Sequence, residues 1–157
     1  MLVDERREEL VRFERTFNLA RLGGAGLAFV LGPLFPNLGV WSLVFLGVGL
    51  LAEAAAIEAA LRRVRSRDGL ERLARVVFLV DLLVVAFGIF VFAADPRWTT
   101  YIVGGLLIIA GGFRFGPRGA LAGAGVMSLA TVAIAFFRTS VYGYALEPER
   151  IVFTVTV

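Results

Sequence analysis

Apolar residues fill this chain in long blocks, and charge closes almost every block. The blocks cover residues 16–35, 38–61, 76–94, 98–113 and 119–137. Within them hydrophobic side chains occupy every face of a helix, and the strict alternation of a barrel strand is missing. About 20 apolar residues carry a helix across a bilayer's hydrocarbon core. Lipid admits only helices or closed barrels, because each backbone polar group needs a partner within the protein. The pattern therefore predicts an all-α, polytopic transmembrane helical bundle with five complete spans. Spans 16–35 and 98–113 are short, so they should tilt little or draw in flanking residues. The last run, 151–157, reads Ile-Val-Phe-Thr-Val-Thr-Val. As a helix it reaches only about 10 Å. It is expected to begin a sixth span, truncated in a piece of a longer protein, with a frayed outer end as the alternative.

The charges orient this bundle. Thirteen of the sixteen arginines lie in three clusters, at 6–21, 62–75 and 114–118. Every cluster falls on one side of the alternation, and cytoplasmic loops hold an excess of Lys and Arg. The N-terminus is thus expected to be cytoplasmic. Trp41, Trp98, Tyr101, Tyr142 and Tyr144 all map to the opposite side, in keeping with an aromatic belt. Residues 4–15 carry Leu10, Phe13, Phe17 and Ala20 forward on one helical face. They predict a cytoplasmic amphipathic lead-in over 1–18, ahead of a membrane domain over 19–157. Arg21, near the inner end of the first span, is expected to snorkel to the headgroups. Pro33, Pro36 and Asn37 mark an outer turn. An Arg-rich inner loop at 62–75 holds the turn signal Asp68-Gly69, and 138–150 reads as an outer loop.

Composition narrows the chemistry. The 157 residues are 59% hydrophobic, with a mean hydropathy of +0.83. No Cys and no His occur. Disulfides, thiolate-bound zinc, iron–sulfur clusters, His-ligated haem and a phospho-accepting histidine are excluded from these residues. No metal and no cofactor is expected. The net charge of +3 and pI of about 10.2 would suit nucleic acid. The cations flank apolar spans, however, so the lipid bilayer's anionic headgroups are the expected partner and nucleic acid is not. No cleavable signal peptide is visible, and no P-loop, nucleophile elbow or metalloprotease motif is present. Asp68-Gly69 and Ala74-Arg75 are spaced too widely for the metal motif of phospholipid-head transferases, and only Asp81 follows.

A few polar residues fall inside the spans. Asp81 lies in the third, where a carboxylate either pairs with a neighbour's arginine or serves a ligand, ion or proton. Glu53 is the deeper of two acids in the second span. Asp81, Glu53 and Arg114 are the candidates for ligand binding or signal coupling. Glu58 and Arg62 form an i,i+4 ion pair. Gly119 and Gly123 make a GxxxG, and Gly104-Gly105 marks the fourth span. These small residues suit close helix packing, either between the fourth and fifth spans or in a homodimer.

The third to fifth spans carry a further pattern. Val80-Asp81-Leu82-Leu83-Val84 is followed by a short outer turn, Ala94-Asp95-Pro96-Arg97, and then by Arg114-Phe115-Gly116-Pro117-Arg118-Gly119-Ala120-Leu121. This resembles the N-terminal membrane module of bacterial sensor histidine kinases and related diguanylate cyclases. A similar turn there links the fourth and fifth of about six helices. The resemblance implies a membrane-embedded sensory input and anchoring module in the bacterial cytoplasmic membrane. It also implies a homodimer, and a cytoplasmic output domain or response regulator as partner. No output domain lies within these residues, so catalysis is not expected of them. The alternative is a small transporter or channel subunit that uses the intramembrane carboxylates.

Overall fold

The computed structural model describes residues 2–34, 40–64, 66–95 and 103–146, the side chains of 2–7 and 67 excepted. Among the described residues every regular element is helical. The elements are α1 (Leu2–Leu34), α2 (Val40–Arg63), α3 (Arg67–Val91), α4 (Gly104–Phe115) and α5 (Pro117–Tyr142). A 3-10 turn, Phe92–Ala94, closes α3. Among the described residues four segments are long and apolar enough to cross a membrane: Glu8–Leu34, Val40–Arg63, Asp68–Ala94 and Pro117–Tyr142.

The burial pattern is the reverse of a water-soluble core. Leu19, Leu83 and Leu121 are 68%, 71% and 73% exposed, whereas Glu14, Asp81 and Arg114 are 1%, 3% and 4%. Aliphatic surface of this extent needs an apolar solvent, and buried charge needs a partner within the protein. The chain is a multi-pass membrane protein.

Several boundaries differ from the sequence reading. The lead-in and first span form one uninterrupted 33-residue helix, so a boundary at residue 18 falls inside α1. Pro33 lies within its last turn, and the rest of the expected outer turn, 35–39, lies outside the described residues. The Arg-rich loop is far shorter than 62–75, because α3 already begins at Arg67. Ser66 explains the early start. Its Oγ accepts the Gly69 N–H at 3.2 Å and its carbonyl accepts the Leu70 N–H at 3.1 Å. That is an N-cap, and Asp68 in the first turn complements the helix dipole. The cap overrides the Asp-Gly turn signal. The fourth span is described only as α4, whose 12 residues are about 18 Å long. It is too short to be counted as a crossing by itself. Arg138 sits in α5 rather than in an outer loop. The tail at 151–157 and the residues Trp98 and Tyr101 lie outside the described residues.

The chain divides within α3 into two compact units, Met1–Val80 and Asp81–Val157. In the first, α1 and α2 run antiparallel. Gly24 meets Leu50, Gly47 lies under the Phe29 ring, and Arg15 stands by Glu58. Leu10, Ile57, Leu61, Leu70 and Val77 form a cluster where the start of α3 joins them.

In the second unit α4 and α5 make a tight hairpin. Gly116 turns it at φ 66° and ψ −154°, a conformation essentially closed to other residues. Pro117 then starts α5 at a position that needs no N–H donor. A Cβ on Gly119 would collide with the Gly111 carbonyl oxygen, and one on Gly123 would lie 3.1 Å from the Leu107 oxygen. A Cβ on Gly104 would lie 3.4 Å from Met127. The GxxxG thus faces α4 in the same chain. Gly105 does not share this contact, since an added Cβ there would meet nothing within 4 Å.

This contrast is testable. Gly119→Ala should destabilise the hairpin by about 1–3 kcal/mol, the usual cost of overpacking. Gly105→Ala should be neutral or stabilising by up to about 1 kcal/mol, because alanine is the better helix former. Thermal unfolding in micelles, followed by circular dichroism, measures both.

Candidate functional site

Buried charge gathers at one place in the first unit and at two in the second. In the first unit the centre is Arg21. Glu14, Asn18 and Arg21 are spaced four and three residues apart, so all three fall on one face of α1. Arg21 Nη1 donates to Asn18 Oδ1 at 3.0 Å. Its Nη2 lies 3.9 Å from Glu14 Oε2, and its Nε lies 3.6 Å from Glu53 Oε1 on α2. Asn18 Nδ2 donates across the helix pair to the Ala54 carbonyl at 3.0 Å. Phe17 stacks against the guanidinium at 4.9 Å, which adds a cation–π contact. Arg21 therefore does not snorkel. Buried acids on both helices supply what water and headgroups would have supplied.

In the second unit Arg114 Nη1 donates to Asp81 Oδ2 at 2.8 Å, with the two side chains 0% and 4% exposed. Arg114 stands in the last turn of α4, where the helix dipole favours a cation. This charge-assisted bond ties α3 to α4 in a medium of low dielectric constant. At the other end of α5, buried Arg138 donates to the Asp95 carbonyl at 2.9 Å and lies 4.8 Å over the Tyr144 ring. Tyr144 itself donates to the Ala94 carbonyl at 2.8 Å.

The structure thus joins two of the three sequence candidates, Asp81 and Arg114, and gives the third, Glu53, to Arg21. Glu58 accepts from Arg62 Nε at 2.9 Å and lies 4.0 Å from Arg15. Glu14, Asn18, Arg21 and Arg138 are buried polar residues that sequence reasoning missed. Their signal was present for α1: a polar stripe at i, i+4 and i+7 entering an apolar run. Among the described residues no group of three or more acids, histidines or cysteines is arranged to hold a metal ion. No family model, curated protein or solved structure matches this chain.

The Asp81–Arg114 bridge has a defined mutational signature. Asp81→Leu or Arg114→Leu alone should cost about 3–5 kcal/mol, because each leaves a charge buried without its counter-ion. The double substitution should recover most of that loss, since it removes both desolvated charges. A double-mutant cycle on unfolding in mixed micelles checks the coupling; additive losses would contradict it.

Proposed function

We propose that this chain is the membrane-embedded sensory input and anchoring module of a bacterial signal-transduction protein of the sensor histidine kinase type. It crosses the cytoplasmic membrane five times from a cytoplasmic N-terminus, works as a dimer and hands its signal to a cytoplasmic output domain. The observation that carries the reading is the Asp81–Arg114 bridge, a buried charge pair that joins two helices. A pair of this kind is a poor source of stability and a good two-state contact. A stimulus that shifts α3 against α4 by a fraction of a turn strains the bond, and the displaced helices carry the change to the output.

Contacts at the two ends of α5 support the fifth crossing. Arg114, next to the start of α5, holds Asp81, while Arg138 holds Asp95 near its far end. The chain leaves α3 at Asp95 and is back beside Asp81 at Arg114. This return favours a passage back across the bilayer that ends with α4. The arginine clusters support the orientation through their cytoplasmic bias.

The absence of cysteine makes the topology directly readable. Single cysteines at Arg63 and Arg118 should resist a membrane-impermeant maleimide in intact cells and react after permeabilisation. Cysteines at Trp41 and Gly143 should react without it. Labelling of Arg118→Cys from outside would remove the fifth crossing. For the signalling role, the chain is fused ahead of a dimeric kinase core. Asp81→Asn should change basal autophosphorylation at unchanged membrane abundance, and identical kinase output would sink the proposal. Loss of ion or proton flux in liposomes with the same variant would favour a transporter.

A further inference from the structure

A groove of about 1030 Å³ runs between α1 and α2 in the first unit, at the upper end of the size of ligand pockets. Its α1 wall follows positions 8, 11, 12, 15, 16, 19 and 22, a single helical stripe. Its α2 wall follows 51, 54, 55, 58 and 61 in the opposite direction. Polarity changes along it in one order. Glu8 stands at the outermost end, Arg12 and Arg15 come next, and Leu19, Leu22 and Leu51 line the remainder. All six of these side chains are exposed.

The other polar groups along the groove are satisfied within the protein. The Thr16 hydroxyl donates to the Arg12 carbonyl at 3.0 Å. The Asn18 amide is held by Ala54 and Arg21 at 3.0 Å each. Beyond Thr16 the walls therefore present aliphatic surface for the six residues to Leu22, about 9 Å of helix. The groove reads carboxylate, guanidinium, hydrocarbon along the path from the arginine-rich rim into the bilayer.

We infer that the groove holds one aminophospholipid from the leaflet on the arginine-rich side. Such a lipid presents ammonium, phosphodiester and acyl chain in that same order. Arg12 and Arg15 face the phosphate with charge-assisted donors. Glu8, one turn farther out, faces the primary ammonium. Leu19, Leu22 and Leu51 line the acyl chain. Glu58, held by Arg62 at 2.9 Å and 4.0 Å from Arg15, braces the arginine from the α2 side. With Glu58 taken by Arg62, Glu8 is the acid that favours a headgroup ending in an ammonium over a plain anion. The lipid would be a structural ligand of the α1–α2 pair, independent of any signalling role.

Native mass spectrometry of the intact chain tests this. The protein is released from micelles containing equimolar phosphatidylethanolamine, phosphatidylcholine and phosphatidylglycerol with identical acyl chains. One phosphatidylethanolamine per chain should survive release. The double variant Arg12→Ala/Arg15→Ala should lower its retention about tenfold or more, as befits two arginines at a lipid headgroup. Glu8→Gln should abolish the preference over phosphatidylcholine while keeping phospholipid bound. Leu22→Trp, which fills the apolar end without touching a charge, should also reduce retention. Equal retention of the three lipids would overturn the proposal. So would retention unchanged in the arginine variant, or a lipid-free dimer in place of a lipid-bound chain.

Discussion

A guanidinium carried into hydrocarbon has to find its counter-charge inside the protein, and most of this molecule's internal geometry answers that demand. Arg21, Arg114 and Arg138 are all buried. Each has a different solution. Arg21 takes two acids and an amide, Arg114 takes one acid at 2.8 Å, and Arg138 takes a backbone carbonyl and a tyrosine ring. In water the hydrophobic effect would turn each helix's leucines inward. In lipid it gives no such preference, because the surrounding chains are as apolar as leucine. The arginines and their partners then decide which face of each helix turns inward, and Leu19, Leu83 and Leu121 are left facing out.

Close packing supplies the other half, by a different device in each unit. In the second unit the hairpin is glycine on backbone, with Gly119 against Gly111 and Gly123 against Leu107. That approach maximises dispersion contact and leaves no room for a side chain. In the first, Phe29 fills the space over Gly47, and the Asn18 amide crosses from α1 to the Ala54 carbonyl. The α1–α2 pair therefore has hydrogen-bonded registry where the α4–α5 pair has steric registry. A one-residue slip of α1 would misalign Asn18 and Arg21 together, so the polar network sets the register as well as the rotation.

Helix existence was legible along the sequence because it rests on the length of apolar runs. The span read at 38–61 emerges as Val40–Arg63, a shift of two residues. Rotation was much less legible, since these runs carry Leu, Val and Ile on all faces and periodicity has little to grip. Arg21 shows the consequence. Read by position alone, an arginine near a helix end belongs at the headgroups. Read with Glu14 and Asn18 on the same face and Glu53 opposite, it belongs inside. Ser66 failed for a local reason, because Asp68-Gly69 is a turn signal only where no cap precedes it. The hairpin glycines were ambiguous between a partner chain and the neighbouring helix. Gly116 resolves this in physical terms: its positive φ folds α5 directly back on α4, so the Gly119 stripe is covered within the chain.

The Asp81–Arg114 pair differs from an apolar contact in its distance dependence. At 2.8 Å the pair makes a charge-assisted hydrogen bond in a medium that screens little. A displacement too small to break helix packing still weakens it steeply, whereas a full helical turn of about 5.4 Å separates the charges entirely. Intermediate positions leave two partly desolvated ions facing apolar surface, the most costly arrangement of all. The energy along the sliding coordinate therefore rises steeply away from the bonded position. An apolar contact between α3 and α4 would instead slide smoothly, since one methyl group replaces another at little cost. The charge pair at 81 and 114 therefore fixes one position of α3 against α4, although a matched apolar pair at both positions would be as stable.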